Sequence, residues 1–269
     1  AMFRSLLAIV ATFFLGNSAA AACTGPATTV VDEIYPSGDV VPENLLRMYL
    51  YFSGPMAEAD ILPHIRLRHK DGAAVDGVFL SNRFDLWSPD RTRLTLLLDP
   101  GRVKTGLNAH NAFGRALVAG QSYVLTVDTQ ARTAAGCNLA APFAHSFVAG
   151  DGDFDPPNPG RWALDLPAAG TTDPLRISLG SAHDHLSMAF RIQVRKDGQT
   201  LPGRVSLDRA ETIWTFAPRL PWTANRHEIL IGEELEDLAG NRPGQLFDQP
   251  MDLNLPQPDL KLWFLPLDQ

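Results

Sequence analysis

His183-Asp-His185 holds the residues best suited to chemistry in this chain. On an extended strand, positions i and i+2 share a face, and two imidazoles on one face grip a transition metal. A third ligand would come from elsewhere, and His227, Asp237 and Glu211 have the right chemistry. The competing reading is a polar strand end with one ring packed against Trp214 or Trp222. Asp151, Asp153 and Asp155 alternate in the same way and suit calcium, although the remaining spacing and the closing Glu of an EF-hand loop are missing. The run Glu233-Glu-Leu-Glu-Asp237 reads better as a solvated strand edge than as a second calcium cradle, since like charges on an edge deter pairing with other chains.

Catalysis finds little support. The sequence has no Gly-x-Ser-x-Gly elbow, no His-Glu-x-x-His helix and no glycine-rich phosphate loop. Pairing Asp208 with Glu211 as glycosidase carboxylates would rest on their presence alone. Trp87, Trp162, Trp214, Trp222 and Trp263 would stack on sugars if exposed in a row, but a strand tryptophan more often fills a core, and Trp214 and Trp222 are assigned there. A formal net charge of -7, with Lys and Arg scattered, argues against nucleic acid as a partner. The resulting expectation is a non-enzymatic protein with no cofactor, whose partner is an unknown envelope protein or glycan. A metal-binding periplasmic protein using His183 and His185, and a carbohydrate-binding accessory module, are the alternatives.

The elements that must position these residues read as strands. Leu46, Met48, Leu50 and Phe52 alternate on one face, as do Ile65 with Leu67, and Leu94, Leu96 and Leu98. Lys70-Asp-Gly72 supplies a hairpin turn, because Asp-Gly tolerates positive φ. With further strands at 28–35, 75–80, 121–128 and 143–148, about seven strands fall in the first half, the count of an immunoglobulin-like sandwich. Residues 151–160 are polar and Pro-rich and read as a linker, with a hinge at 155–159. Beyond it the pattern repeats: Leu175-Arg-Ile-Ser-Leu179 matches Leu46-Arg-Met-Tyr-Leu50, Lys196-Asp-Gly198 matches Lys70-Asp-Gly72, and Gly240-Asn241 answers Gly136-Cys137. The expectation is an all-β chain of two tandem immunoglobulin-like β-sandwich domains, at 23–150 and 161–269.

Residues 1–22 read as a secretory signal peptide: Arg4 precedes an apolar run over 6–15, and small residues follow at 18–22. The run is too short for a membrane span, and no second apolar run is long enough either. The protein is therefore expected to be exported to the periplasm or cell envelope. Cys23 and Cys137 are its only cysteines. In an oxidising compartment they would pair; a lipid anchor on Cys23, or free thiols, are the other readings.

Phe52-Ser-Gly-Pro-Met56 and Asp237-Leu-Ala-Gly-Asn241 resemble the early and late turns of bacterial Ig-like domains of the S-layer and envelope type. The chain also looks like a two-domain group of exported bacterial proteins, over most of residues 28–250. The resemblance implies a sandwich fold and brings no catalytic residues. The first copy departs from it at Cys137-Asn138, and the second at Ala182-His-Asp-His185, which stands in for Ser-x-Pro-Met. In such a topology the start of the first strand and the loop between the last two strands lie at one end of the sandwich. That placement makes Cys23 and Cys137 neighbours.

Overall fold

A computed structural model of the chain describes residues 23, 25–57, 61–80, 86–208, 210–248 and 255–268. The expected signal segment, residues 1–22, lies outside the described residues. The first half carries β1 (Val31–Tyr35), β2 (Val40–Pro42), β3 (Arg47–Phe52), β4 (Ile65–His69), β5 (Arg93–Leu97), short helices α1 (Pro100–Val103) and α2 (Asn108–Phe113), β6 (Ser122–Val127) and β7 (Phe143–Gly150). The second carries β8 (Ala163–Asp165), β9 (Leu175–Ser178), α3 (His185–Arg191), β10 (Ile192–Lys196), β11 (Gln199–Thr200), β12 (Gly203–Leu207), β13 (Ile213–Pro218), β14 (His227–Ile231) and β15 (Lys261–Phe264).

Strand order defines the fold. The first half forms one sheet β1-β3-β5 and another β2-β7-β6-β4, in which β2 runs parallel to β7 and the other pairs are antiparallel. The second forms β8-β9-β13-β12 and β11-β10-β14-β15, all antiparallel. In the first half β3 lies between β1 and β5 and β6 between β4 and β7, and in the second β9 lies between β8 and β13 and β14 between β10 and β15, so the two halves share one connectivity. This is immunoglobulin-like connectivity. Alternation puts Met48, Leu50 and Phe52 of β3, Leu94 and Leu96 of β5, Ile65 and Leu67 of β4 and Tyr123, Leu125 and Val127 of β6 in one buried cluster, so the two sheets face each other. The second cluster gathers Leu175, Ile177, Val194, Trp214, Phe216 and Ile229 in the same manner.

The repeated sequence features occupy equivalent places. Lys70-Asp-Gly72 follows β4, and Lys196-Asp-Gly198 joins β10 to β11 with Asp197 and Gly198 both at positive φ. Both β3 and β9 are inner strands paired with the first strand of their half, β1 and β8 respectively. The tryptophan assignment also holds, since Trp214 is 0% and Trp222 2% exposed.

Three readings need correction. Residues 75–80 form no strand, and Phe79 makes an isolated bridge with Leu98. His183-Asp-His185 is not a strand segment, because Asp184 caps α3 and His185 is its first residue. The acidic run 233–237 is solvated only at Glu233 and Glu234, whereas Leu235, Glu236 and Asp237 are buried.

Candidate functional site

β3 determines where the two halves meet. Its core face is apolar, but its other face carries Arg47, Tyr49 and Tyr51, and Tyr49 is 3% exposed because the second half covers it. Tyr49 Oη donates to Asp184 Oδ2 over 2.7 Å. The other oxygen of Asp184 accepts from the Ser187 backbone N–H at 2.8 Å, which is the N-cap of α3. Burial pushes the Asp184 carboxyl up, opposed by the Arg47 guanidinium beside it.

Arg47 reaches further across the seam. Its Nη2 donates to Glu236 Oε2 at 2.6 Å, while Arg242 Nε and Nη2 donate to Glu236 Oε1 at 2.9 and 2.8 Å. Glu236 is thus held between two guanidiniums. Next to it the Leu46 N–H donates to the Leu238 carbonyl at 2.9 Å, and the Leu238 side chain joins the core cluster of the first half. The turn that delivers Leu238 is built by Asp237, whose Oδ1 accepts from the N–H groups of Ala239 and Asn241 and whose Oδ2 accepts from Asn241 Nδ2. Burial, and then the Asp153 carboxylate, push the Asp237 carboxyl up to about 8 against those three donors. Gly240 follows at φ +81°, and a Cβ there would meet Leu46 Cδ2 at 2.5 Å.

Further links flank this centre. Asn44 exchanges two 2.8 Å hydrogen bonds with the backbone of Asp153, and Asn241 Nδ2 adds a third to the Asp153 carbonyl. Ser37 donates its N–H and hydroxyl to the buried Glu211 carboxylate, and the Ala210 N–H donates to Ser37 Oγ. Thr105 and Arg115 both hold Asp248. Two adjoining cavities of about 450 and 500 Å³ open along the seam, and Arg47, Glu236 and Arg242 line both.

The sequence-predicted site residues are distributed differently. Cys23 and Cys137 form a disulfide with a Cα separation of 4.5 Å, so the sulfur of Cys23 is not available for acylation. His183 packs edge-on against Trp162, with Nδ1 3.0 Å from the Ser181 carbonyl, whereas His185 stacks on Tyr35 with ring centroids 3.5 Å apart. The shared face proposed for the two imidazoles therefore does not exist, and the packing partner is Trp162 and not Trp214 or Trp222. Burial lowers both histidines to about 4. Asp155 pairs with Arg161 at 2.8 Å, Asp153 Oδ1 accepts from the Asp155 N–H, and Asp151 is exposed. Among the described residues no three His, Cys, Asp or Glu side chains converge as metal ligands. Trp263 is 47% exposed, but the Arg226 guanidinium lies 4.2 Å over its ring, so the tryptophans present no open row. Among the described residues no helix is long and apolar enough to cross a membrane.

Sequence reasoning missed the seam itself. The available signal was the outer face of β3, where Arg47, Tyr49 and Tyr51 are large for a water-facing strand.

No protein-family model matches the chain, and a search of curated proteins returns no match. Among solved structures, native alpha-2-macroglobulin from Escherichia coli spanning domains MG0-NIE-MG1 is similar at 12% identity and a TM-score of 0.29, covering 88% of this chain and 71% of that one. The native conformation of E. coli alpha-2-macroglobulin is similar at 12% identity and a TM-score of 0.29, over 76% of this chain and 13% of that one. A mouse coronavirus receptor-binding domain complexed with its murine receptor follows at 11% identity and a TM-score of 0.17, over 76% and 92%. At such scores these likenesses carry no inference, and the immunoglobulin-like assignment rests on strand order.

Proposed function

We propose that this protein is a non-enzymatic exported module of the bacterial cell envelope, acting in the periplasm or at the cell surface as a binding or spacer unit toward an envelope protein or glycan. Two immunoglobulin-like domains, 23–150 and 161–269, are joined by residues 151–160 and locked at the seam. The observation that carries this reading is Leu238, a residue of the second domain whose side chain lies in the core cluster of the first. A shared core contact of this kind, backed by the Arg47–Glu236 and Tyr49–Asp184 pairs, favours a rigid body with a fixed shape over two modules on a tether. The disulfide supports an oxidising compartment. The envelope-type turns support the family reading, with Met56 buried and Asp237-Leu-Ala-Gly-Asn241 packed at the seam.

Fractionation of the native host with thiol alkylation tests the proposal. The protein is expected in the periplasmic or envelope fraction with both cysteines refractory to alkylation until reduced. Recovery from the cytoplasm with two reactive thiols would overturn it.

A further inference from the structure

The 450 Å³ cavity at the seam has a composition that selects a ligand class. Its size falls within the range of small-molecule sites. Leu46, Leu97, Leu246 and Phe247 contribute apolar surface, and the charged lining is Arg47, Lys104 and Arg242 against the single acid Glu236. Both oxygens of Glu236 are already engaged, Oε1 by Arg242 and Oε2 by Arg47, and Asp184 faces Arg47 from the other side, so the two guanidiniums and the two carboxylates balance. Lys104 adds the unbalanced positive charge. Its Nζ lies 4.2 Å over the Phe247 ring and has no carboxylate partner among the described residues. In a chain of net charge -7, this is a local excess of cation beside an apolar wall.

We propose that the cavity binds a single-chain aliphatic carboxylate, its head held by Lys104 and Arg242 and its tail laid against Leu46, Leu97 and Phe247. A small polar anion would leave the apolar wall wet, and a neutral hydrocarbon would bury the Lys104 ammonium without a counter-charge. An amphiphile with one negative charge satisfies both parts of the lining, because a charge-assisted bond to the head is combined with burial of the tail. This site is additional to the envelope partner proposed above, and it rests on the seam and not on the compartment, so export and ligand can fail separately.

Titration calorimetry of the full chain with decanoate provides the test, with acetate and decyltrimethylammonium as the head-only and opposite-charge probes. Saturable 1:1 binding of decanoate is expected, with no heat from acetate and none from the cationic amphiphile. Lys104→Glu should weaken decanoate binding at least tenfold, and Lys104→Met several-fold. Lys70→Glu, an exposed change outside the cavity lining, should leave it unaltered. Circular dichroism of each variant confirms that the fold is kept. Absence of saturable decanoate binding, equal binding by decyltrimethylammonium, or an unchanged affinity in folded Lys104→Glu would each overturn the proposal.

Discussion

Tyr49 on β3 and Asp184 at the start of α3 are 135 positions apart, yet the tyrosine hydroxyl meets the carboxylate at 2.7 Å in a buried site. This bond joins the outer face of one sandwich to the helix cap of the other. Because Asp184 accepts from both Tyr49 and Ser187 and faces Arg47, truncating it removes a cap and strands two buried partners. Asp184→Ala is expected to lower stability by about 3 kcal/mol, and Tyr49→Phe by about 1 kcal/mol, in urea unfolding. An Asp184→Ala protein as stable as the wild type would mean that the seam contributes little.

Stability should depend on pH through groups of opposite sign. His183 and His185 are both lowered from 6.5 to about 4, so their contribution is present above pH 6.5 and is lost as pH falls toward 4. Asp237 is raised from 3.8 to about 8, so its contribution is complete below pH 3.8 and is lost as pH rises toward 8. Between 4 and 6.5 these slopes oppose each other; above 6.5 both histidines are neutral folded and unfolded, and Asp237 drives the decline. Urea midpoints should therefore decline from pH 6.5 to 8.5, corresponding to about 2 kcal/mol, and Asp237→Asn should flatten that decline. An equal decline in the variant would assign the effect to another group.

The Cys23–Cys137 bridge closes a separation of 114 residues and ties the N-terminal segment to the loop between β6 and β7. Cys137→Ser is expected to destabilise the protein by about 2 to 4 kcal/mol in the same unfolding assay. A change of a few tenths would show that the N-terminal segment is held by other contacts.

Residues 151–160 should resist proteolysis more than their composition suggests. Asn44 and Asn241 clamp the Asp153 backbone, and Pro157 and Pro159 are buried, which leaves Phe154 and Asp155 as the exposed part between the end residues Asp151 and Gly160. Asn44→Ala should speed cleavage there several-fold in timed digestion followed by mass spectrometry. Rapid cleavage of the wild type at that segment would argue against the clamp.

The strands and their inward faces were legible because alternation of Met48, Leu50 and Phe52, or of Tyr123, Leu125 and Val127, is a local signal. The disulfide followed from topology, since sandwich connectivity brings the ends of distant strands together. The seam was not legible, for two reasons. Glu236 and Asp237 carry side chains that normally face water, and they are buried only because Arg47, Arg242 and Asn241 meet them, partners whose proximity depends on packing between halves. His183-Asp-His185 misleads in the opposite way: the i, i+2 argument needs an extended strand, and the capping of α3 by Asp184 ends the extended stretch between the two histidines.

Small-angle X-ray scattering of residues 23–269 most directly tests the claim that the two sandwiches form one rigid body. One conformation, with Leu238 seated in the first core, is expected to reproduce the profile at both low and high salt, because the apolar contact and the buried pairs are weakly screened. A profile that requires a mixture of extended arrangements, or one that expands as salt rises, would contradict it.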